Sequence, residues 1–238
     1  MIIFDYGHTL IYEEKSDYIK GNAEVLKYAI KNPRGITGED LQNKADEILY
    51  EIRKNNNILE IHNFNFSRLL FELFDVEFSI TPIEIEKILW DNAAPGSLMP
   101  GIETLIDYIN ERGIRSGVLS NISFSEESLI ERINNALPNN KFEFIIASSA
   151  YCFRKPHKFI FEIALNKAKL SPDEIWFCGD NTAADIVGAS NAGMFPVWYD
   201  NPLECHYRWK PNETPTCEHL HIHEWVELIY ILNNPRNN

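Results

Sequence analysis

The sequence predicts an α/β fold, a doubly wound parallel sheet with an α-helical bundle inserted near its start. A short apolar run at Ile2–Phe4 is typical of a buried strand. Residues from about 15 to 90 are helical in period, with few strand signals. After about residue 100, short apolar runs alternate with helical segments, which is the pattern of parallel βαβ units.

The inserted segment has the composition and spacing of a compact helical bundle. Thr37 is a plausible N-cap followed by acidic residues, and Pro82 stands where the first turn of a helix tolerates proline. We assign residues 15–95 to a helical cap domain, and residues 1–14 and 96–238 to the core that carries the sheet. The predicted helices are "DYIKGNAEVLKYAIK", "TGEDLQNKADEILYEIRKN", "FSRLLFELF" and "TPIEIEKILW".

The second half of the chain supplies the remaining strands and the helices that cross between them. The helical stretches are "GIETLIDYINERG", "SEESLIERINNAL", "PHKFIFEIALNKAKL" and "TAADIVGASNAG". The strands are "IRSGVLSN", "FEFIIASS", "EIWFCGD" and "FPVWY". Ligands of such sheets bind at the carboxyl ends of the strands, so the residues at those ends are the candidate site.

Composition excludes several classes of function. The formal net charge of −13 argues against nucleic-acid binding, which needs a basic face. We expect neither a signal peptide nor a membrane span, because no basic leader or run of about 20 apolar residues is present. The four cysteines form no CxxC pair, so we expect a reduced, cytoplasmic, soluble protein.

Polar residues follow the predicted strands at the sheet edge where ligands bind. Carboxylates with oxygen-rich surroundings suit Mg²⁺, which bridges readily to a substrate phosphate. A lysine would offset the negative charge, and a hydroxyl or amide can donate to a phosphoryl oxygen. This set suits phosphoryl transfer, in which positioning and charge neutralisation dominate. Its members are Asp5, Ser120, Asn121, Lys155, Asp180 and Asp185.

Four motifs in order resemble the haloacid dehalogenase (HAD) superfamily, in the branch with a helical cap after the first motif. They are "FDYGHTL", "VLSN", "RKP" and "CGDNTAADIVGASNAGM". The stretch "MPGIETLIDYINERGIRSGVLSN" also resembles the segment of the family that leads into its second motif. The resemblance covers residues 1 to about 200 and implies a Rossmann-like core.

The resemblance also implies a mechanism and a role for each motif residue. Asp5 would attack phosphorus to form an aspartyl-phosphate, which water would then hydrolyse. Mg²⁺ would be held by Asp5, the Gly7 carbonyl and Asp180, with support from Asp185. Ser120 would bind phosphoryl oxygens, and Lys155 would hold Asp5 and the phosphate together. The expected partner is a small phosphorylated substrate.

Gly7 departs from the pattern of the family's phosphatases, which usually carry a second Asp at this position as general acid and base. General acid–base catalysis typically raises a reaction rate by about 10²–10⁴-fold. Its absence at this position leaves three interpretations of the function. The first is a phosphatase of substrates with good leaving groups, or one in which His8 or a cap residue replaces the acid. We interpret His8 as a structural residue rather than an acid.

The other readings are a dehalogenase or phosphonatase, or a protein that binds without turnover. The retained carboxylates of "GDNTAAD" favour metal-dependent phosphoryl chemistry over dehalogenation. Arg53, Lys54 and Arg68 in the cap could meet a substrate anion, but we favour solvated helix charge as their explanation.

The tail is rich in cysteine and histidine, but its spacing matches no familiar zinc pattern. "HLHIH" instead predicts a strand with its histidines on one face, followed by the helix "EWVELIYIL". The tail residues of this type are Cys205, His206, Cys217, His219, His221 and His223.

Overall fold

The computed structural model describes residues 1–54, 58–203 and 213–234. Within them, six strands form one parallel sheet, which confirms the predicted α/β fold. Strands and helices are numbered in chain order. In spatial order the sheet contains β10 (Leu220–Ile222), β9 (Phe195–Tyr199), β8 (Trp176–Gly179), β1 (Ile2–Phe4), β6 (Ser116–Ser120) and β7 (Ile145–Ala147).

The central strand β1 is apolar along its whole length because both faces of the sheet are covered. Phe4 packs edge to face against Trp225, with ring centroids 5.9 Å apart. Ile3 belongs to a second buried cluster on the other face, with Phe161 and Phe177. A strand buried on both faces reads as a continuous apolar run.

Core helices follow the strands as the sequence pattern predicts. A π-helical turn, Thr182–Val187, runs directly into the short helix α8. The helices are α5 (Ile102–Glu111), α6 (Glu126–Ala136), α7 (Lys158–Ala168), α8 (Gly188–Asn191) and α9 (Trp225–Asn233). None of the helices in the described ranges is long and apolar enough to cross a membrane.

The insertion after β1 is the expected helical bundle. Thr37 caps its second helix in a reciprocal pair of bonds with Asp40, and Pro82 occupies the first turn of its last helix. The helices are α1 (Tyr18–Leu26), α2 (Gly38–Arg53), α3 (Asn63–Phe74) and α4 (Pro82–Ala93).

Two short strand pairs differ from the prediction of helices alone. The end of the first predicted helix is strand β3 (Ala29–Lys31), which pairs antiparallel with β4 (Glu77–Phe78). The helix ends at Leu26, and pairing with a distant segment decides the conformation beyond it. Strand β2 (Ile11–Glu13) pairs with β5 (Gly96–Leu98) where the chain enters and leaves the insertion. The predicted domain boundaries, between residues 14 and 15 and between residues 95 and 96, lie at this strand pair. The division of the chain into cap and core domains stays a prediction.

Candidate active site

Three adjacent parallel strands bring the first site residues together. Phe4 of β1 lies in register with Val118 of β6 and with Cys178 of β8. Asp5 and Asp180 each follow the end of their strand, and Ser120 is the last residue of β6. All three are buried, so a single polar centre lies at the carboxyl edge of the sheet.

Lys155 lies in the middle of this centre. Its Nζ is 2.7 Å from Oδ1 of Asp5 and 2.7 Å from Oδ1 of Asp185, and it donates to the Leu119 carbonyl at 2.9 Å. The Lys155 side chain is only 1% exposed. We call Asp5, Lys155 and Asp185 the lysine centre. Its geometry holds the Asp5 carboxylate in one orientation.

Asn121 fixes the backbone on which Lys155 stands. Its Oδ1 accepts a hydrogen bond from the Lys155 N–H at 2.7 Å, and its Nδ2 donates to the Lys155 carbonyl at 2.9 Å. An amide has a second N–H, which leaves one donor for a ligand. The structure therefore gives Asn121 a positioning role beside the predicted contact with substrate.

Asp5, Asp180 and Asp185 form a group of carboxylates whose nearest oxygens all lie within 4.8 Å of one another. Oxygen ligands at this spacing fit a hard cation such as Mg²⁺, and buried carboxylates in such number need compensating positive charge. Gly7, the predicted carbonyl ligand, lies half-buried in the turn after β1. The donor set therefore fits the predicted metal.

Gly179 explains how Asp185 reaches the centre from the next helix. A Cβ at position 179 would lie 2.5 Å from three side-chain atoms of Asp185, so only glycine allows this approach. The π-helical turn carries Asp185, and its Oδ2 accepts a hydrogen bond from the Asn181 N–H at 2.9 Å. Wide turns of this kind often occur at functional sites.

The lysine centre shifts the ionisation of its own groups. Burial raises the pKa of Asp5 to about 6, Asp185 adds to the rise, and Lys155 opposes it. Burial lowers the pKa of Lys155, but Asp185 and Asp5 outweigh burial, so the pKa of Lys155 is raised overall. Lys155 is therefore charged at neutral pH, and Asp5 is mainly ionised above about pH 6.

His8 stands next to Gly7 but is placed as a packing residue. Its side chain is fully buried, and its ring contacts Tyr12 edge to face at 5.2 Å between centroids. The backbone there is in the left-handed region, with φ of 52° for His8. Its carbonyl accepts a hydrogen bond from Asn201 Nδ2 at 3.1 Å. These contacts agree with a structural role.

A second buried charge cluster lies between cap and core, and sequence reasoning missed its central residue. Glu60, 1% exposed, contacts Arg53 Nη2 at 2.7 Å and accepts a hydrogen bond from Ser148 Oγ at 2.8 Å. Arg154 Nε lies 3.6 Å from the same carboxylate. We call Arg53, Glu60, Ser148 and Arg154 the glutamate centre. The prediction of solvated helix charge was therefore wrong for Arg53, which lies in a largely buried ion pair with Glu60.

The glutamate centre adjoins the lysine centre through neighbouring residues of one loop. Burial lowers the pKa of Arg154, while the charges of Glu60 and Asp5 oppose that effect. Backbone bonds fasten the same region, with the Glu60 N–H donating to the Cys152 carbonyl at 2.7 Å. No motif in the sequence marks Glu60, because its role depends on how the cap docks.

The fold and the carboxylate–lysine site define an α/β protein with a polar centre at the carboxyl edge of its sheet and a cap over that edge. A model of the haloacid dehalogenase-like hydrolase family matches residues 2–198, and the chain belongs to this family of hydrolases. The resemblance drawn from the four motifs is thereby confirmed.

Relatives by sequence include a protein named as a phosphatase and one named as a nucleotidase. The chain is 25% identical to glyceraldehyde 3-phosphate phosphatase of Pyrococcus furiosus over 202 residues, which cover 84% of this chain and 80% of the relative. It is 29% identical to the pyrimidine 5′-nucleotidase YjjG of Escherichia coli over 134 residues, which cover 55% of this chain and 56% of that protein.

Solved structures share the fold. A HAD phosphatase from Thermococcus onnurineus aligns over 99% of this chain and 98% of its own, with a TM-score of 0.63 and 17% identity. A 2-haloacid dehalogenase from Pseudomonas syringae pv. Tomato aligns over 98% and 97%, with a TM-score of 0.65 and 18% identity. Because the fold fits enzymes of both chemistries, the choice between them rests on the site.

Proposed function

We propose that this hydrolase is a Mg²⁺-dependent, cytoplasmic phosphatase of small phosphorylated metabolites that acts through an aspartyl-phosphate on Asp5. The observation that carries the proposal is the lysine centre beside Asp180. Lys155 contacts both Asp5 and Asp185, and an oxygen of each of these carboxylates lies close enough to one of Asp180 for the three to share one hard cation such as Mg²⁺. Dehalogenation needs no metal, and nothing in it requires this group of three carboxylates.

Each step of the proposed reaction uses a group of this chain. A carboxylate oxygen of Asp5 attacks phosphorus, and the bond from phosphorus to the leaving oxygen breaks. Water then attacks the phosphorus of the acyl phosphate, which returns Asp5 as a carboxylate and releases inorganic phosphate. Lys155 keeps Asp5 oriented throughout, and Ser120 and Asn121 donate to the phosphoryl oxygens. Mg²⁺, held by Asp5, Asp180, Asp185 and the Gly7 carbonyl, would neutralise phosphate charge.

The cap boundary adds positive charge near the carboxylate–lysine site, which accepts an anion in the proposed reaction. Arg53 and Arg154 share one carboxylate, that of Glu60, so the glutamate centre has a net charge of about +1. Arg154 precedes Lys155 in the chain, and the negative charge of Asp5 acts to raise the pKa of Arg154. A positive surface on the cap side would attract a phosphate ester towards the nucleophile.

Gly7 decides which phosphates we expect to react fastest. The leaving oxygen takes up a proton as its bond to phosphorus breaks, and Gly7 has no side chain to donate one. The ring of His8 is packed away from solvent. We therefore propose a preference for aryl or acyl phosphates over sugar phosphates, although three relatives carry the name glyceraldehyde 3-phosphate phosphatase.

The proposal can be tested with a substrate panel of aryl, acyl and sugar phosphates, nucleotides and a 2-haloacid, each with Mg²⁺ and with EDTA. We expect phosphate release that needs Mg²⁺, is abolished in Asp5→Asn and needs more Mg²⁺ in Asp180→Asn. Asp107→Asn, a change at an exposed carboxylate of α5, is the matched control and should behave as wild type.

Three results would contradict the proposal. Halide release that is indifferent to EDTA would place the protein with the dehalogenases. No hydrolysis of any ester, together with ligand binding, would indicate a binding protein. Activity that survives Asp5→Asn would exclude the covalent mechanism.

A further inference from the structure

The strand ends at one side of the sheet carry a second group of potential metal ligands. Asp200 follows β9, and His221 and His223 lie in and directly after β10. Tyr199 and Ile222 are paired in register, which places the three residues side by side. One carboxylate oxygen of Asp200 and one ring nitrogen of each histidine lie within 4.8 Å of one another.

The distances between the potential ligand atoms in this group are close to those between the ligand atoms around a bound zinc ion. His221 Nε2 lies 3.1 Å and His223 Nδ1 lies 4.0 Å from Oδ2 of Asp200. Ligand atoms about 2.0–2.2 Å from a tetrahedral zinc ion are roughly 3.3 Å apart. The two observed separations lie on either side of that value, and all three ligand atoms lie within 4.8 Å of one another, so the spacing is compatible with one shared ion.

The side chains are held in this arrangement before any ion binds. The His221 ring stacks on Trp198, with centroids 4.1 Å apart and an angle of 8° between the planes. His223 Nδ1 contacts the Asp200 carbonyl at 2.8 Å, a bond that an entering ion would replace. Alternation along the strand turns both histidines to the same exposed side, opposite buried Ile222. Restricted side chains lower the entropic cost of binding.

An ordinary surface ion pair explains less of this arrangement. His221 and Asp200 are 39% and 40% exposed, and an exposed pair of this kind contributes little to the stability of a protein. Such a pair does not need a third group aimed at the same carboxylate. Imidazole nitrogens with one carboxylate are the donors preferred by Zn²⁺ and similar transition metals, whereas Mg²⁺ prefers the oxygens of Asp5, Asp180 and Asp185.

We propose that Asp200, His221 and His223 form a binding site for a Zn²⁺-like transition-metal ion, separate from the carboxylate site at Asp5. Three protein ligands leave a further position for water. The ion would clamp the carboxyl ends of β9 and β10, next to the turn from which Asn201 bonds to the His8 carbonyl. It would thus brace the loop that follows Asp5 without touching the reacting atoms.

The test is a Zn²⁺ titration of EDTA-treated, then dialysed, full-length protein with excess Mg²⁺ present to fill the carboxylate site. Wild type is expected to bind one equivalent of Zn²⁺ with a dissociation constant in the micromolar range or below. His223→Asn and His221→Asn should each weaken binding by about tenfold or more, because a ligand is lost. Co²⁺ should give visible absorption bands in wild type that both variants lose.

His219→Asn is the matched control, since this neighbouring histidine lies outside the group of three among the described residues. It should bind Zn²⁺ as wild type does, and unfolding by urea should show that each variant is folded. The proposal is overturned if wild type binds no Zn²⁺ in this range, or if both His221→Asn and His223→Asn bind it unchanged. Phosphatase activity is not a readout, so the result does not depend on the proposed function.

Discussion

The lysine centre and the glutamate centre are opposite solutions to the burial of charge. In the core, one ammonium group contacts two carboxylates at 2.7 Å. Between cap and core, one carboxylate lies among two guanidinium groups. The first centre has surplus negative charge, which fits a metal ion, and the second has surplus positive charge, which fits an anion. Because Arg154 and Lys155 are neighbours in the chain, the two centres adjoin, which supports the proposed binding of a phosphate ester together with Mg²⁺.

The largest effect is expected from Lys155→Met, which leaves two buried carboxylates without their cation. Turnover should fall by about 10²–10³-fold or more. Asp5 loses the group that orients it, and the bound phosphate loses a nearby positive charge. The free energy of unfolding should fall by about 3–5 kcal/mol at pH 8 and by less at pH 5, where Asp5 can protonate because burial raises its pKa to about 6. Urea unfolding at both pH values measures this difference.

Lys31→Met is the matched control for that experiment. Lys31 also contacts two carboxylates, Asp75 and Glu77, at 2.6 and 2.8 Å, but it is 41% exposed. Its removal should change stability little, because solvent screens this exposed pair, and turnover should be unchanged. Equal losses in the two variants would show that burial does not distinguish the lysine centre.

Gly7→Asp should restore the missing proton donor. Gly7 is not among the glycines with positive φ, so an aspartate there is free of backbone strain. Hydrolysis of sugar phosphates should speed up by about 10²-fold, whereas aryl phosphates should change little because they leave without a proton. Steady-state rates on both ester classes measure how much faster aryl phosphates react than sugar phosphates in the variant and in wild type.

Gly7→Asn separates the acid from the mere presence of a side chain. The Asn side chain is as large as that of Asp but has no acidic proton to donate. This variant should therefore leave the ratio of aryl to sugar phosphate hydrolysis rates unchanged. A wild type that already hydrolyses sugar phosphates as fast as aryl phosphates would mean that another group supplies the proton.

Mg²⁺ affinity should depend on pH through Asp5. Since the pKa of Asp5 is about 6 without metal, a proton must leave before the ion binds. Apparent affinity should therefore rise by about tenfold for each pH unit below 6 and level off above it. Mg²⁺ titrations between about pH 5 and pH 8 test this, and Asp5→Asn should remove most of the dependence. An affinity that is flat over this range would contradict the assignment of Asp5 as a ligand.

Glu60→Gln should have the smallest effect on rate. The amide keeps the shape but loses the charge that holds Arg53 and Arg154, so stability should fall by about 1.5–3 kcal/mol. We expect KM to change a few-fold, with kcat nearly unchanged, because these groups do not touch the reacting atoms. Glu72→Gln, which breaks the exposed pair with Arg68, is the control and should be nearly silent. A large fall in kcat with Glu60→Gln would place the glutamate centre in the chemistry.

The two centres also differ in how far the sequence predicts them. Asp5, Lys155 and Asp185 lie in short motifs after strands or in the helix that follows, and parallel strands bring their ends to one edge. Their meeting was therefore predictable. Glu60 has no such pattern, because its burial depends on the docking of the cap loop against Ser148 and Arg154.

Other features depended in the same way on contacts between distant segments. Strand β3 reads as the end of a helix, and only its pairing with β4 reveals it. The tail histidines were correctly predicted on one face of a strand, but nothing nearby in the sequence points to Asp200, which the β9–β10 register brings to them. Cys205 and His206 of the same tail lie outside the described residues.

The central claim is covalent catalysis by Asp5, and acid quenching during turnover of an aryl phosphate with Mg²⁺ tests it most directly. Mass spectrometry of the quenched protein should find a phosphoryl group on the peptide that contains Asp5, and none in Asp5→Asn or with EDTA. A wild-type enzyme that turns over in steady state while this peptide stays unmodified, or a phosphoryl group trapped on another residue, would contradict the account.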